Sequence, residues 1–183
     1  MLNFEFFLPT HFVFGKGAEC QAGAKIKALG GTHVLIHYGG GSAVKSGLIG
    51  RVEKSLLDAG LQVEKLGGVQ PNPRDDLVYQ GIHLARQTGV DFILAVGGGS
   101  AIDSGKAIAL GVPYEGDFWD FYSGKATPEK CLPVGVVLTI AAAGSESSNS
   151  SVIMQAATKT KRGLNVEIQR PCLALMNPQL TCT

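Results

Sequence analysis

Apolar positions along this chain alternate between two periods. Val34 to Tyr38, Val63 to Leu66, Phe92 to Val96, Val134 to Thr139 and Cys172 to Met176 are short apolar runs rich in β-branched residues, which predict buried strands. Between them the spacing turns helical. Val44, Leu48, Val52, Leu56 and Leu57 predict one helix from the first glycine turn to about Ala59, and Leu77, Ile82, Leu84 and Ala85 carry another from Asp75-Asp76 to Thr88-Gly89. Ser151 to Met154 and Leu164 to Ile168 predict two more short strands. Near the start, Phe4 to Phe7 and Phe12 to Phe14 flank Pro9-Thr10 and predict a β-hairpin, closed by Gly15-Lys16-Gly17 before a helix reaching about Leu29. Strands alternating with helices predict an α/β fold, Rossmann-like and doubly wound around a mainly parallel sheet, with ligands beyond the carboxyl ends of its strands.

Two of those strand ends run into glycine. The strand 92–96 leads into Gly97-Gly98-Gly99-Ser100 and then a helix, and the strand 34–38 leads into Gly39-Gly40-Gly41-Ser42. Residues without a Cβ let the backbone approach an anion, and the free N–H groups and positive dipole of the following helix attract it. Such a turn also serves simply to fit a sharp strand-to-helix connection. Its duplication favours a phosphate cradle. Dinucleotide sites commonly place a carboxylate at an early strand end to bind the adenosine ribose, and a carboxylate there repels a 2′-phosphate. Here glycine and Ser42 occupy that end, so NADP(H) is expected over NAD(H). Asp103, in the first turn of its helix, reads equally as a cofactor contact or as a carboxylate complementing the dipole. The loop at Gly67-Gly68 and Pro71-Asn72-Pro73 lies at another strand end, where paired prolines forbid regular pairing.

Composition then narrows the class. With 183 residues the chain can bury one full domain core. Charged residues make up 17% and the formal net charge is +1, with no run of like charges, which argues against nucleic acid and anionic membrane partners. No apolar run approaches the roughly 18 residues that span a bilayer, and Met1-Leu2-Asn3-Phe4-Glu5 has no basic stretch before an apolar one, so a cytoplasmic protein is expected. Cys20, Cys131, Cys172 and Cys182 form no CxxC and read as free thiols of a reducing compartment. His11, His33, His37 and His83 share no metal-ligand spacing; His33 and His37 are four apart, but on a strand rather than a helix face.

Phe14-Gly15-Lys16-Gly17, Tyr38-Gly39-Gly40-Gly41-Ser42, Pro71-Asn72-Pro73, Gly97-Gly98-Gly99-Ser100-Ala101-Ile102-Asp103 and Gly144-Ser145-Glu146, in that order, closely resemble the iron-containing (group III) alcohol dehydrogenases over essentially the whole chain. The Tyr-Gly-Gly-Gly-Ser variant is similar to the NADPH-dependent butanol dehydrogenase and aldehyde reductase branch. The resemblance implies that Gly97, Gly98, Gly99 and Ser100 hold the pyrophosphate, with Asp103 beside it toward the nicotinamide. It implies that Gly39 and Ser42, with Gly40 and Gly41 between them, flank the 2′-phosphate. Asn72 would border the adenosine end, Thr139 would touch the adenine or ribose, and Lys161 would reach the cofactor ribose or 2′-phosphate. A lysine on a polar turn is also commonly just solvated. Dimerisation through the N-terminal strands is implied as well.

Two departures stand out. The family usually carries Thr where this chain has Ala143, so one phosphate hydrogen bond is lost, at about 0.5–1.5 kcal/mol. Asn177-Pro178 replaces the family's Asp-Pro. The resemblance also implies a second, helical domain that supplies an aspartate and three histidines to divalent iron or zinc, and the sequence ends before any of them. The chain is therefore expected to be the NADP(H)-binding N-terminal domain, residues 1–183, of an enzyme acting on an alcohol or aldehyde, able to bind cofactor but inactive alone. A free-standing NADPH-binding regulatory module is one alternative. The nucleotide domain of a dehydroquinate synthase or glycerol dehydrogenase-like enzyme is another.

Overall fold

In the computed structural model, which describes residues 3, 5 and 7–182, the chain runs β1 (His11–Phe14), α1 (Ala22–Ala28), β2 (His33–Gly39), α2 (Ser42–Lys45), α3 (Leu48–Asp58), β3 (Gln62–Val69) and α4 (Asp75–Thr88). It continues through β4 (Phe92–Gly97), α5 (Gly99–Gly111), α6 (Trp119–Ser123), β5 (Val134–Leu138), β6 (Ser150–Gln155), β7 (Thr160–Asn165) and β8 (Leu173–Met176). Six strands form one sheet in the order β1-β8-β5-β4-β2-β3, and every neighbouring pair is parallel. β6 and β7 form a separate antiparallel hairpin.

The strands read as unbroken apolar runs because both of their faces are covered. Val34, Ile36, Phe92, Leu94 and Val96 point to one side and pack with Ala22 and Ile26 of α1 and Leu48, Val52 and Leu56 of α3. Leu35 and Ile93 point to the other and pack with Val78 and Ile82 of α4 and Ala107 and Ile108 of α5. Each such buried aliphatic side chain contributes roughly 1.5–3 kcal/mol.

Four sequence expectations change in detail. The helix expected from the first glycine turn to Ala59 is two helices, because Gly47 adopts φ +70 and ends α2 before α3 begins; Val44 and Leu57 of that stripe are exposed. Gly67-Gly68, expected in a loop, belong to β3. They form an irregularity opposite residues 37–39, where Gly67 lies against the Tyr38 ring and Gly68 takes φ +99. The strand expected at 164–168 lies earlier, at β7, and residues 167–169 form a 3₁₀ turn. The second aromatic segment forms β1, whose partner is β8 in parallel. For the first segment of the expected hairpin, Phe4 and Phe6 lie outside the described residues.

One buried polar side chain joins three elements of this core. His37 is fully buried on β2; its Nδ1 lies 2.9 Å from the Leu66 carbonyl on β3 and its Nε2 lies 2.7 Å from Ser104 Oγ on α5. A carbonyl only accepts, so Nδ1–H donates to Leu66 and Nε2 accepts the Ser104 hydroxyl proton. Burial pulls the His37 pKa from 6.5 down to about 4. The unfolded chain therefore takes up this proton first as the medium acidifies. The stability contributed by neutral His37 is complete above about pH 6.5 and is lost as the pH falls toward 4, up to about 3 kcal/mol. Denaturant unfolding of the wild type and of His37→Gln between pH 7 and 4 should show a shallower decline for the variant. Identical slopes would contradict this assignment.

Candidate functional site

The winding direction of the sheet reverses between β2 and β4: β3 follows on one side of β2, while β5 and β8 extend the other way from β4. At such a reversal neighbouring crossovers leave on opposite faces, and the carboxyl ends of the strands open a crevice. Here that crevice is a cavity of about 290 Å³. Gly39 at the end of β2, Val69 at the end of β3, Val96 and Gly97 of β4, and Thr139 just past β5 all line it. No lining residue is ionisable.

The field in the crevice therefore comes from backbone. α5 starts there, capped by Gly98 in an extended conformation with no side-chain hydrogen bond to the helix end. The first N–H to reach a helical carbonyl is that of Ile102, which donates to Gly98 at 3.2 Å. The N–H groups of Gly99, Ser100 and Ala101 precede it and form the positive end of the dipole. A Cβ on Gly98 would come within 2.4 Å of Ile140 Cγ2, so a side chain there would crowd the wall across the crevice.

A second cavity, of about 200 Å³, adjoins the first at Gly99 and is lined also by Asp103, Ala143, Ser145, Ser148, Ser150 and Val152. Both oxygens of Asp103 are engaged: Ser145 Oγ donates at 2.5 Å and the Val152 N–H at 3.0 Å. Burial raises the Asp103 pKa, and these two bonds oppose the rise. Behind the wall, Lys106 is fully buried and donates to the carbonyls of Ser145, Ser148 and Ser150. Burial pushes its pKa down to about 8.

The residues expected from the sequence separate into three groups. Gly39, Gly41, Ser42, Gly97, Gly98, Gly99, Ser100 and Thr139 line the first cavity, with exposed Gly40 between its neighbours on the same turn. Asp103 lines the second. Asn72 and Lys161 line neither of these cavities but meet each other across 89 positions of sequence, Lys161 Nζ donating to Asn72 Oδ1 at 2.8 Å. Asn72 takes a left-handed φ of 57, which Asn tolerates better than most residues. Sequence reasoning missed Lys106, whose signal is a basic side chain among Ala101, Ile102, Ala107 and Ile108 on a helix that is buried throughout from Ser104 to Gly111. It also missed the serines at 145, 148 and 150.

His33 contacts Glu64 at 3.4 Å, and among the described residues no group of three or more His, Cys, Asp or Glu side chains is placed to hold a metal ion. No helix among those residues is long and apolar enough to cross a membrane.

Comparison with known proteins places this geometry. The family model described as iron-containing alcohol dehydrogenase matches residues 9–178. The chain is 45% identical, over its whole length, to a protein of Bacillus subtilis (strain 168) named "Probable NADH-dependent butanol dehydrogenase 2", and covers 47% of that relative. It is 37% identical to "NADPH-dependent aldehyde reductase YqhD" of Escherichia coli (strain K12), again over all of this chain and 47% of the relative. The crystal structure of NADH-dependent butanol dehydrogenase A from Thermotoga maritima superposes with a TM-score of 0.94 at 41% identity, covering 97% of this chain and 45% of that one. The chain thus spans about half the length of the curated relatives it matches. With the family model matched over residues 9–178 and the fold superposed on that structure, the chain belongs to the iron-containing alcohol dehydrogenase family.

Proposed function

We propose that residues 1–183 are the NADP(H)-binding domain of an oxidoreductase that moves a hydride between NADPH and an aldehyde or primary alcohol. The observation that carries this reading is the uncharged crevice at the β2/β4 reversal, into which α5 directs N–H groups that no side chain caps. An anionic, extended ligand suits it: the field attracts phosphate and no lining carboxylate repels one. In this reading residues 97–100 hold the pyrophosphate and residues 39–42 receive the 2′-phosphate through N–H groups and the Ser42 hydroxyl. Thr139 contacts the adenine or ribose, and the Asn72–Lys161 pair borders the adenosine end. The second cavity, with Asp103, takes the nicotinamide end.

Bound NADPH supplies the hydride; this chain binds and orients it. The described residues do not fit the divalent iron or zinc that the family resemblance implies. For the 183-residue chain alone the proposal is therefore cofactor binding without measurable aldehyde reduction. The proposal includes a cytoplasmic setting. It includes also a homodimer through β1, which ends the sheet among the described residues and carries Phe12 and Phe14 with 41% and 74% exposure. Sedimentation equilibrium should show dimers that dissociate in Phe14→Glu, and a wild-type monomer at all concentrations would remove that part of the proposal.

A second reading, NAD(H) as the cofactor, is favoured by the names of the 45% and 41% identical relatives, both called NADH-dependent. Fluorescence titration with NADPH and with NADH separates the two. Tighter NADPH binding, reversed in Gly39→Asp because its carboxylate repels the 2′-phosphate, is the expected result. Tighter NADH binding, or a preference that Gly39→Asp leaves unmoved, would contradict the NADP(H) assignment.

A further inference from the structure

We propose that Lys106 is a positioning residue for the second cavity, its buried ammonium fastening the 144–150 loop to α5 and so setting the wall that holds the far half of the dinucleotide. This inference rests on the dinucleotide reading above. Lys106 itself lines neither the crevice nor the second cavity. It acts through the serines that do.

An ammonium has three N–H donors. Those of Lys106 meet three carbonyls, of Ser145 at 2.7 Å, Ser150 at 2.8 Å and Ser148 at 2.9 Å. The hydroxyls of Ser148 and Ser145 stand close behind at 3.2 and 3.3 Å. Among the described residues no carboxylate bonds the ammonium directly; Asp103, one helical turn earlier, lends it charge at longer range. A charge held in this way is compensated only while the carbonyls stay aimed at it.

The loop has its own reason to stay. Residues 144–149 are neither helix nor strand; the carbonyls of Gly144 and Asn149 accept from the backbone N–H groups of Ser147 and Val166, and the others need side-chain partners. Lys106 takes those of Ser145 and Ser148, Arg170 takes that of Ser147, and Gln169 takes that of Asn149. On the same face of α5, Asp103 accepts from Ser145 Oγ at the start of the loop and from the Val152 N–H beyond its end. Lys106 and Asp103 thus bind the entry and exit of one loop to one helix, and the gap that they fix between them is the second cavity. The two cavities share Gly99, but none of the side-chain hydrogen bonds of Lys106 and Asp103 reaches a residue that lines the first.

That separation gives the test. NADPH would reach both cavities, whereas adenosine 2′,5′-bisphosphate reaches only the first. Binding of both ligands by the wild-type chain is the underlying reading; if it binds neither, that reading fails and this inference falls with it. In Lys106→Met, which keeps the stem and removes the donors, NADPH should bind at least about tenfold more weakly while the bisphosphate stays within about twofold. Parallel losses for both ligands would mean that Lys106 only supports the fold, and unchanged affinities would mean that the loop holds itself; either overturns the proposal. Should Lys106→Met fail to fold, Lys106→Gln, whose amide keeps two N–H donors on a shorter stem, reads the same contrast, with an expected NADPH-selective loss of about twofold to fivefold. A parallel loss or none in that variant would overturn it equally.

Discussion

The uncapped N–H groups at the start of α5 are the constraint around which the rest of this structure is arranged. A helix end buried without partners is costly, yet Gly98 supplies no capping side chain and the surrounding wall supplies no carboxylate. The geometry tolerates this because the helix begins at the open carboxyl edge of a parallel sheet, where the reversal between β2 and β4 leaves a crevice rather than a packed layer. An anion placed there satisfies what the chain leaves unsatisfied. The fold, the glycines and the expected ligand are consequences of one electrostatic arrangement.

Three polar side chains, His37 and Lys106 buried and Asp103 half-buried, keep that arrangement rigid. His37 ties β2 and β3 to α5 beneath the two glycine turns, so both turns share one anchor. Asp103 and Lys106 point outward from α5 and hold the serine loop. All three are paired, as groups in a low-dielectric interior must be if they are not to destabilise it. Their effect is on position more than on net stability: each fixes a wall of the crevice relative to the helix that provides its field.

Much of this was legible in the sequence. The apolar runs gave the strands because both faces of a parallel sheet are buried, and the glycine turns stood out because they follow those runs directly. Other features have no local signature. Val44 and Leu48 stand four apart on either side of Gly47, a helical spacing that runs on through Val52 and Leu56, so periodicity alone cannot find the break. β7 reads Thr-Lys-Arg-Gly-Leu-Asn and is largely exposed, so no apolar alternation marks it, and the expectation slid toward Leu164 and Ile168 instead. The Gly67-Gly68 irregularity depends on where the Tyr38 ring lies on the neighbouring strand. Short α6 follows from aromatic packing, Trp119 stacked on Tyr122 with ring centroids 5.6 Å apart. Lys106 was visible as an anomaly in an apolar helix, but its partners lie 39 to 44 residues away.

The central claim is that a dinucleotide lies across the β2/β4 reversal with its phosphates on α5. A crystal structure of the chain grown with NADPH tests it most directly. The account predicts the pyrophosphate against residues 97–100, the adenosine side toward residues 39–42 and the nicotinamide side toward Asp103. Nucleotide density elsewhere, for example in the larger cavity of about 420 Å³ beside Pro113 and Tyr114 beyond the far end of α5, would contradict it.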